Sequence, residues 1–233
     1  AGMSQDSSKK AYDFLESMGV DVRFGKMVTD YRDHKVVMKD GTEIPTRTFL
    51  WVSGIRANAM PGIGDEHLGR GFRFKVDEYN RIPGTDGVFV IGDQCLQTTD
   101  ADYPNGHPQV AQVAIQQARN LARNLKKINE GMGDSALVAF KYKNLGSMAT
   151  IGRNKAVAEI GRFHSQGFFA WILWLVVHLR SILGVKNKMM VLLNWLWKYV
   201  SYNDSIRMIT YATKPREIVE RMKREQTTHL GKD

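Results

Sequence analysis

An apolar run, Val88-Phe89-Val90-Ile91, ends on Gly92-Asp93. At the end of a strand such a pair has a chemical use. Glycine lets the backbone approach a ligand closely, and the carboxylate can accept hydrogen bonds from sugar hydroxyls. The same dipeptide serves ordinary turns, where aspartate caps local N–H groups, so its surroundings decide. A polar loop from Gln94 to His107 follows, and Pro108 is expected to open a helix, its fixed φ and missing N–H suiting a first turn. The free N–H groups and dipole at that start would place partial positive charge beside the turn, a seat for negative charge on a ligand.

On that helix Gln109, Gln112 and Gln116 stand at i, i+3 and i+7 and share one face. Their amides could bind a carbonyl-bearing ligand or could simply be solvated. Val110, Ala114, Leu121, Leu125 and Ile128 recur at helical spacing and predict the buried face. Cys95 is the chain's single cysteine, so no intramolecular disulfide forms, thiol redox chemistry lacks its second sulfur, and a reducing compartment is the natural setting. No Cys/His cluster has zinc-ligand spacing, and no metal site is expected. His107 could shuttle protons near neutrality, but its loop position predicts a solvated ring.

These residues need a scaffold, and the chain around them reads as α/β. Residues 9–18 predict a short helix, Gly19 its end, and VDVRF the strand after it. Asp40-Gly41 between two strand-like runs predicts a hairpin, which feeds a buried strand in FLWVSG. The Gly- and Pro-rich stretch from Asn58 to Asp86 reads as a crossover with one short strand and a domain boundary near Ala59. After the long helix, VAFKYK, SMATIG and KAVAEIG predict three β runs. At 233 residues and 43% hydrophobic, the chain can bury a substantial core.

From Gly167 the character changes. FFAWILWLVVHLRSIL holds thirteen apolar residues in sixteen, and Trp171, Trp174, Trp195 and Trp197 are four of the five tryptophans. Of the net charge of +9, most lies here: residues 161–233 carry twelve Lys/Arg against five Asp/Glu. A basic surplus suits nucleic acid, anionic lipid or an acidic partner, and the aromatic and aliphatic residues mixed into it select lipid over nucleic acid. The apolar run from Phe168 to Leu179 is short of the ~20 residues that span a bilayer. Tryptophans at headgroup level, bracketed by Arg180, Lys186, Lys188 and Lys198, suit helices lying in the interface, a monotopic attachment to an anionic membrane surface on its cytoplasmic side. A buried core helix or a hydrophobic dimer face is the alternative. The polar start AGMSQDSSKK is not expected to be a signal peptide.

Taken in order, VFVIGD, HPQVAQVAIQQARNLARN and LGSMATIGRNKAV resemble successive signatures of the type II NADH dehydrogenases, the single-subunit, non-proton-pumping NADH:quinone oxidoreductases of the respiratory chain. The tail from Gly167 onward resembles their C-terminal membrane-anchoring helices. The resemblance runs from about Lys9 to Ile209 and covers about the latter half of such a protein. It implies an incomplete flavoprotein of two Rossmann-like dinucleotide-binding domains: 1–59 ending the NADH domain, 60–166 ending the FAD domain, 167–233 forming the helical anchor. Gly92, Asp93, Ala111 and Gln112 would contact FAD, while Gln112, Gln116, Met148 and Ile151 would face the quinone. LWVSGIRAN resembles the segment beside the nicotinamide, which makes Gly54 and Ile55 NADH contacts. The implied activity passes electrons from NADH through FAD to a membrane quinone. Ala118 departs from the glycine that often follows the paired glutamines in this family.

No GxGxxG lies between a strand and a helix, and GIGDEHLG has the wrong spacing, so the chain by itself is expected to be inactive and to purify without flavin. Two other readings stand beside this one: another flavoprotein reductase such as a sulfide:quinone oxidoreductase, which calls for redox cysteines, and a non-catalytic membrane-surface interaction module. Exposed sheet edges could pair with a second copy and make a homodimer.

Overall fold

The first helix begins where a cap is available. In the computed structural model, which describes residues 3–58 and 60–202, Ser4 accepts the Ser7 N–H and α1 runs Gln5–Ser17, one turn earlier than the spacing indicated. Gly19, at φ 80°, ends it, with the Gly19 and Val20 N–H groups returning to the Glu16 and Leu15 carbonyls. VDVRF forms no strand. The residues group into two units, Ala1–Trp171 and Ile172–Asp233. The boundary expected near Ala59 falls on a residue outside those described, as does the tail beyond Tyr202, Ile209 included.

Three antiparallel strands follow in the order β1 (Val28–Arg32), β2 (Lys35–Met38), β3 (Glu43–Pro45). Asp40-Gly41 makes the β2–β3 turn as expected, Gly41 at φ 84° and Asp40 Oδ1 accepting the Thr42 N–H at 3.0 Å. FLWVSG is not the buried strand predicted: Leu50, Trp51 and Val52 are 80%, 60% and 87% exposed. Among the described residues no strand lies alongside it, and an apolar run becomes a strand only where a neighbour completes its ladder.

β4 (Phe74–Val76) pairs in parallel with β5 (Cys95–Gln97), and Phe74, Val76, Ile82 and Cys95 form a core closed by Ile63, Leu68, Val88 and Val90. Between them the chain doubles back at Asp77, whose Oδ1 accepts the N–H groups of Tyr79 and Arg81. VFVI makes a single bridge, Phe89 to Arg81, instead of the strand predicted, and Gly92-Asp93 follows in a 3₁₀ turn that leads into β5.

The long helix α2 is Ala111–Asn129, and its most buried side is not the one predicted. Val110, Leu125 and Ile128 are exposed and Ala114 and Leu121 half-buried, while Val113, Gln117, Asn120 and Asn124 are buried. The polar face turns inward because its amides satisfy backbone. Asn124 exchanges two hydrogen bonds of 2.9 Å with the Val138 peptide, and Asn120 adds a third to the Val138 carbonyl. Gln116 pairs in the same way with Lys143, and Gln112 with Leu145 and Gly146. VAFKYK is therefore extended without being a strand, because its partners on this side are side chains. Phe140 and Tyr142 from it build a second core with Val113 and Tyr103.

An antiparallel meander closes the unit: β6 (Ser147–Thr150), β7 (Ala156–Ile160) and β8 (Phe163–Gln166), the last unforeseen. β7 and the residue before it clasp α1 near both ends, Glu159 accepting the Ser4 N–H at 3.0 Å and Lys155 donating to Ser17 Oγ at 2.9 Å. Two helices follow among the described residues, α3 (Phe168–Ser181) and α4 (Val185–Ser201). Trp174 stacks on His178 at 4.0 Å and meets Trp195 at 6.1 Å. Met189, Met190, Leu193, Leu196, Trp197 and Val200 of α4 remain exposed. No described helix is long and apolar enough to cross a membrane.

Replacing Asn124 by Leu removes two hydrogen bonds and strands the Val138 N–H, a loss of about 2–3 kcal/mol in denaturant unfolding. Arg123→Ala, one residue away on the exposed side, should change the same midpoint by less than about 0.5 kcal/mol.

Candidate functional site

Gly92 carries φ 70°, where only glycine is unstrained, and a Cβ there would sit 3.3 Å from that of Ala114. Its N–H donates to Gln117 Oε1 at 2.7 Å, and the Asp93 carbonyl accepts from Gln109 Nε2 at 3.0 Å. The turn is thus fastened to the start of α2 by two amides. The Asp93 side chain is left exposed, its carboxylate taking no hydrogen bond among the described residues.

The helix start beside it is uncapped. Val110 at the N-cap offers no side-chain acceptor, and the first turn holds no acid. The Ala111 and Gln112 N–H groups accordingly find no acceptor among the described residues, and the positive end of a 19-residue helix is open. The arrangement can hold a ligand that offers hydroxyls to a carboxylate and an electron-rich edge to backbone N–H groups.

Behind the turn, Arg73 donates to the Cys95 carbonyl at 2.8 Å and to the His107 carbonyl at 3.0 Å, and burial lowers its pKa. Burial likewise pushes the Cys95 thiol up, so it stays protonated and inert, accepting from the Asn80 and Gln117 amides at 3.4 Å. His107 corrects the sequence reading. It is 2% exposed, packed against Tyr103, Phe140 and Tyr142, with Nε2 2.9 Å from Asp100 Oδ2. Burial alone would raise the Asp100 pKa, but bonds from His107 and from the Tyr142 and Asp102 N–H groups outweigh it and hold the carboxyl below its ordinary range.

Gly92, Asp93, Ala111 and Gln112 are brought together at one helix end. Gln112 and Gln116 spend their amides on the 143–146 backbone, and Met148 and Ile151 follow on and just after β6, the first half-buried and the second buried. Gly146 is required at that junction, since a Cβ would meet the Glu159 carbonyl at 2.3 Å. Gly54, at φ 94°, and exposed Ile55 stand elsewhere, with no hydrogen bond to the Gly92 turn; Arg56 lies over Phe72 at 4.2 Å instead. The sequence reading missed Gln117, Asn120 and Asn124. Their i, i+3, i+7 spacing repeats that of the glutamines it did find, and two amide faces on one helix were the available signal.

Residues 1–118 match the family described as pyridine nucleotide-disulphide oxidoreductase, and residues 144–201 match the NDH2 C-terminal domain. The type II NADH:quinone oxidoreductase Ndh of Mycobacterium tuberculosis is 35% identical over 199 residues, which cover 80% of this chain and 41% of that protein. The mitochondrial internal alternative NAD(P)H-ubiquinone oxidoreductase of Arabidopsis thaliana is 31% identical over 208 residues, 83% of this chain and 40% of that protein. The chain thus spans about two-fifths of the length of these curated relatives. In fold it resembles the NDH2 of Plasmodium falciparum solved with NADH, with TM-score 0.73 at 16% identity over 88% of this chain and 56% of the other. The sulfide:quinone oxidoreductase of Aquifex aeolicus is a more distant likeness, with TM-score 0.53 at 15% identity over 87% of this chain and 47% of the other.

Gln117→Leu should cost about 1–3 kcal/mol, because it leaves the Gly92 N–H unpaired. Gly92→Ala should cost about 1–2 kcal/mol from the left-handed backbone alone. Both are read from urea unfolding against the unsubstituted chain.

Proposed function

This chain belongs to the pyridine nucleotide-disulphide oxidoreductase family, and we propose that it is the part of a type II NADH:quinone oxidoreductase that completes the flavin site and reaches the membrane. One observation carries the reading: the Gly92-Asp93 turn fastened by Gln109 and Gln117 to the open start of α2. Those residues fit FAD. Asp93 would accept from hydroxyls of its ribityl-phosphate region, and the Ala111 and Gln112 N–H groups would face the electron-rich edge of its ring. Bound there, FAD supplies the chemistry that takes hydride from NADH and passes electrons to quinone.

The chain's own residues divide the remaining work. Gly54, with open space where a Cβ would stand, and exposed Ile55 offer a surface to the nicotinamide. Gln112 and Gln116 pin the 143–146 segment along α2, and with Met148 and Ile151 on the strand that follows they form the quinone side. Residues 1–59 and 60–166 supply the closing parts of the NADH and FAD domains. Residues 167–233 attach at the cytoplasmic membrane surface, Trp171, Trp174, Trp195 and Trp197 sitting at headgroup depth and Arg180, Lys186 and Lys188 meeting lipid phosphates.

In the full-length protein carrying this sequence, NADH-driven quinone reduction is the expected activity. Gln112→Ala and Gln116→Ala each release two hydrogen bonds that hold the 143–146 segment of the quinone side, and should each lower quinone reduction about tenfold relative to a soluble artificial acceptor. An unchanged ratio removes their assigned role. The same protein should float with anionic vesicles, and Leu193→Ser with Trp197→Ser should weaken that binding by at least about tenfold, each lost apolar side chain being worth ~1.5–3 kcal/mol. Equal flotation of the double variant would count against the anchor.

A further inference from the structure

The loop between β5 and α2 is folded around one imidazole. His107 is enclosed by the rings of Tyr103, Phe140 and Tyr142, whose centroids lie 5.3, 5.3 and 5.8 Å away. Asp100, at the other end of the loop, gathers the His107 ring at 2.9 Å, the Tyr142 N–H at 3.1 Å and the Asp102 N–H at 3.2 Å. On its main-chain side His107 is tied to β5, because Arg73 bonds both the His107 and the Cys95 carbonyls. The Tyr103 and Gly106 N–H groups close the loop on the Asp100 and Tyr103 carbonyls.

What this ring fixes is the helix start. Pro108 follows directly with its locked φ, its carbonyl accepts the Val110 N–H at 3.0 Å, and α2 begins at Ala111. Val110 cannot cap the helix, so its first turn is held by the Gln109 and Gln117 bonds to the Gly92-Asp93 turn in front and by the loop anchored at His107 behind. The ring also carries a cost. Its Nδ1 is buried with no partner, and an apolar side chain would fill the aromatic box without leaving a polar atom unpaired. What histidine adds over such a residue is the Nε2–H bond to a carboxylate, one of the stronger kinds of hydrogen bond.

We propose that His107, through Asp100, is a positioning residue for the flavin: it holds the start of α2 at the Gly92-Asp93 turn, where the Ala111 and Gln112 N–H groups can meet the ligand. The inference rests on the FAD reading given above. Its test uses the full-length protein and reads FAD per chain, FAD dissociation by fluorescence, the visible flavin band and the melting temperature. His107→Gln puts an amide nitrogen where Nε2 stands and keeps the bond to Asp100; His107→Asn puts it where Nδ1 stands and falls short.

The Asn variant should raise the FAD dissociation constant at least about tenfold and shift the flavin band, while the Gln variant restores both. Should His107→Asn not fold, Asp100→Asn, of equal size, is expected to weaken FAD in the same way. If the Asn variant binds FAD like the unsubstituted protein, or if the Gln variant fails alongside it, the proposal is overturned and the flavin reading stands. If the unsubstituted full-length protein takes up no FAD at all, that reading falls and this inference with it.

Discussion

Every buried peptide group must find a partner, and in this chain one helix supplies partners that a strand would normally provide. The segment after α2 runs extended along it with no strand on that side. Asn124, Gln116 and Gln112 take the place of the ladder, each pairing donor and acceptor with the backbone of residues 138–146. At the Gly92-Asp93 turn, Gln117 accepts from the Gly92 N–H and Gln109 donates to the Asp93 carbonyl. The cores form around this arrangement. Val113 can pack on Phe140 and Tyr142 only because the amides on either side of it hold that segment at the helix. An amide pair left unmet in such a place costs about 1–3 kcal/mol, more than the ~0.8 kcal/mol of a buried methylene, so polar pairing sets the register and apolar packing follows.

The same constraint shapes the site. A helix start normally ends its own electrostatic demand with a capping serine, threonine or aspartate. Here the cap position is valine, and the loop that delivers it is anchored by Asp100, His107 and Arg73 behind the helix. The anchoring charges are satisfied away from the helix end, which keeps that end's partial positive charge available. Asp93, one turn of chain away, has its carbonyl engaged and its carboxylate free. A donor set and an acceptor thus stand side by side without cancelling each other, the electrostatic condition for binding something that carries both.

Much of this was legible in the residues, and the failures share a cause. Gly92-Asp93, the helix after it, the Asp40-Gly41 turn and the strands SMAT and AVAEI all follow from local chemistry: turn dipeptides, periodicity, β-branched runs. FLWVSG and VFVI read as strands because their composition is that of strands, but whether such a run pairs depends on a neighbour distant in sequence. The buried face of α2 was misassigned because hydrophobic spacing counts apolar residues and cannot see that an Asn or Gln facing an unpaired peptide is better buried than exposed. His107 was misread on the same ground: a loop histidine is solvated unless rings and a carboxylate far apart in sequence converge on it, as Phe140, Tyr142 and Asp100 do.

The proposed membrane attachment can be weighed in the same quantitative way. Lys186 and Lys188 lie in the opening turns of α4, whose first turn holds no acid, so each opposes the helix dipole at a cost of about 0.3–1 kcal/mol. Near an anionic lipid surface each basic residue gains roughly 1 kcal/mol, enough to offset that cost. The apolar side chains decide the matter further. Met189, Met190, Leu193, Leu196, Trp197 and Val200 face outward around α4, and burying any one of them fully is worth ~1.5–3 kcal/mol. One face of α4 carries Trp195 toward Trp174. Lysines that oppose the helix dipole, beside side chains that water does not want, are the features on which the proposed attachment to an anionic membrane surface rests, since such a surface is apolar beneath and anionic at its rim.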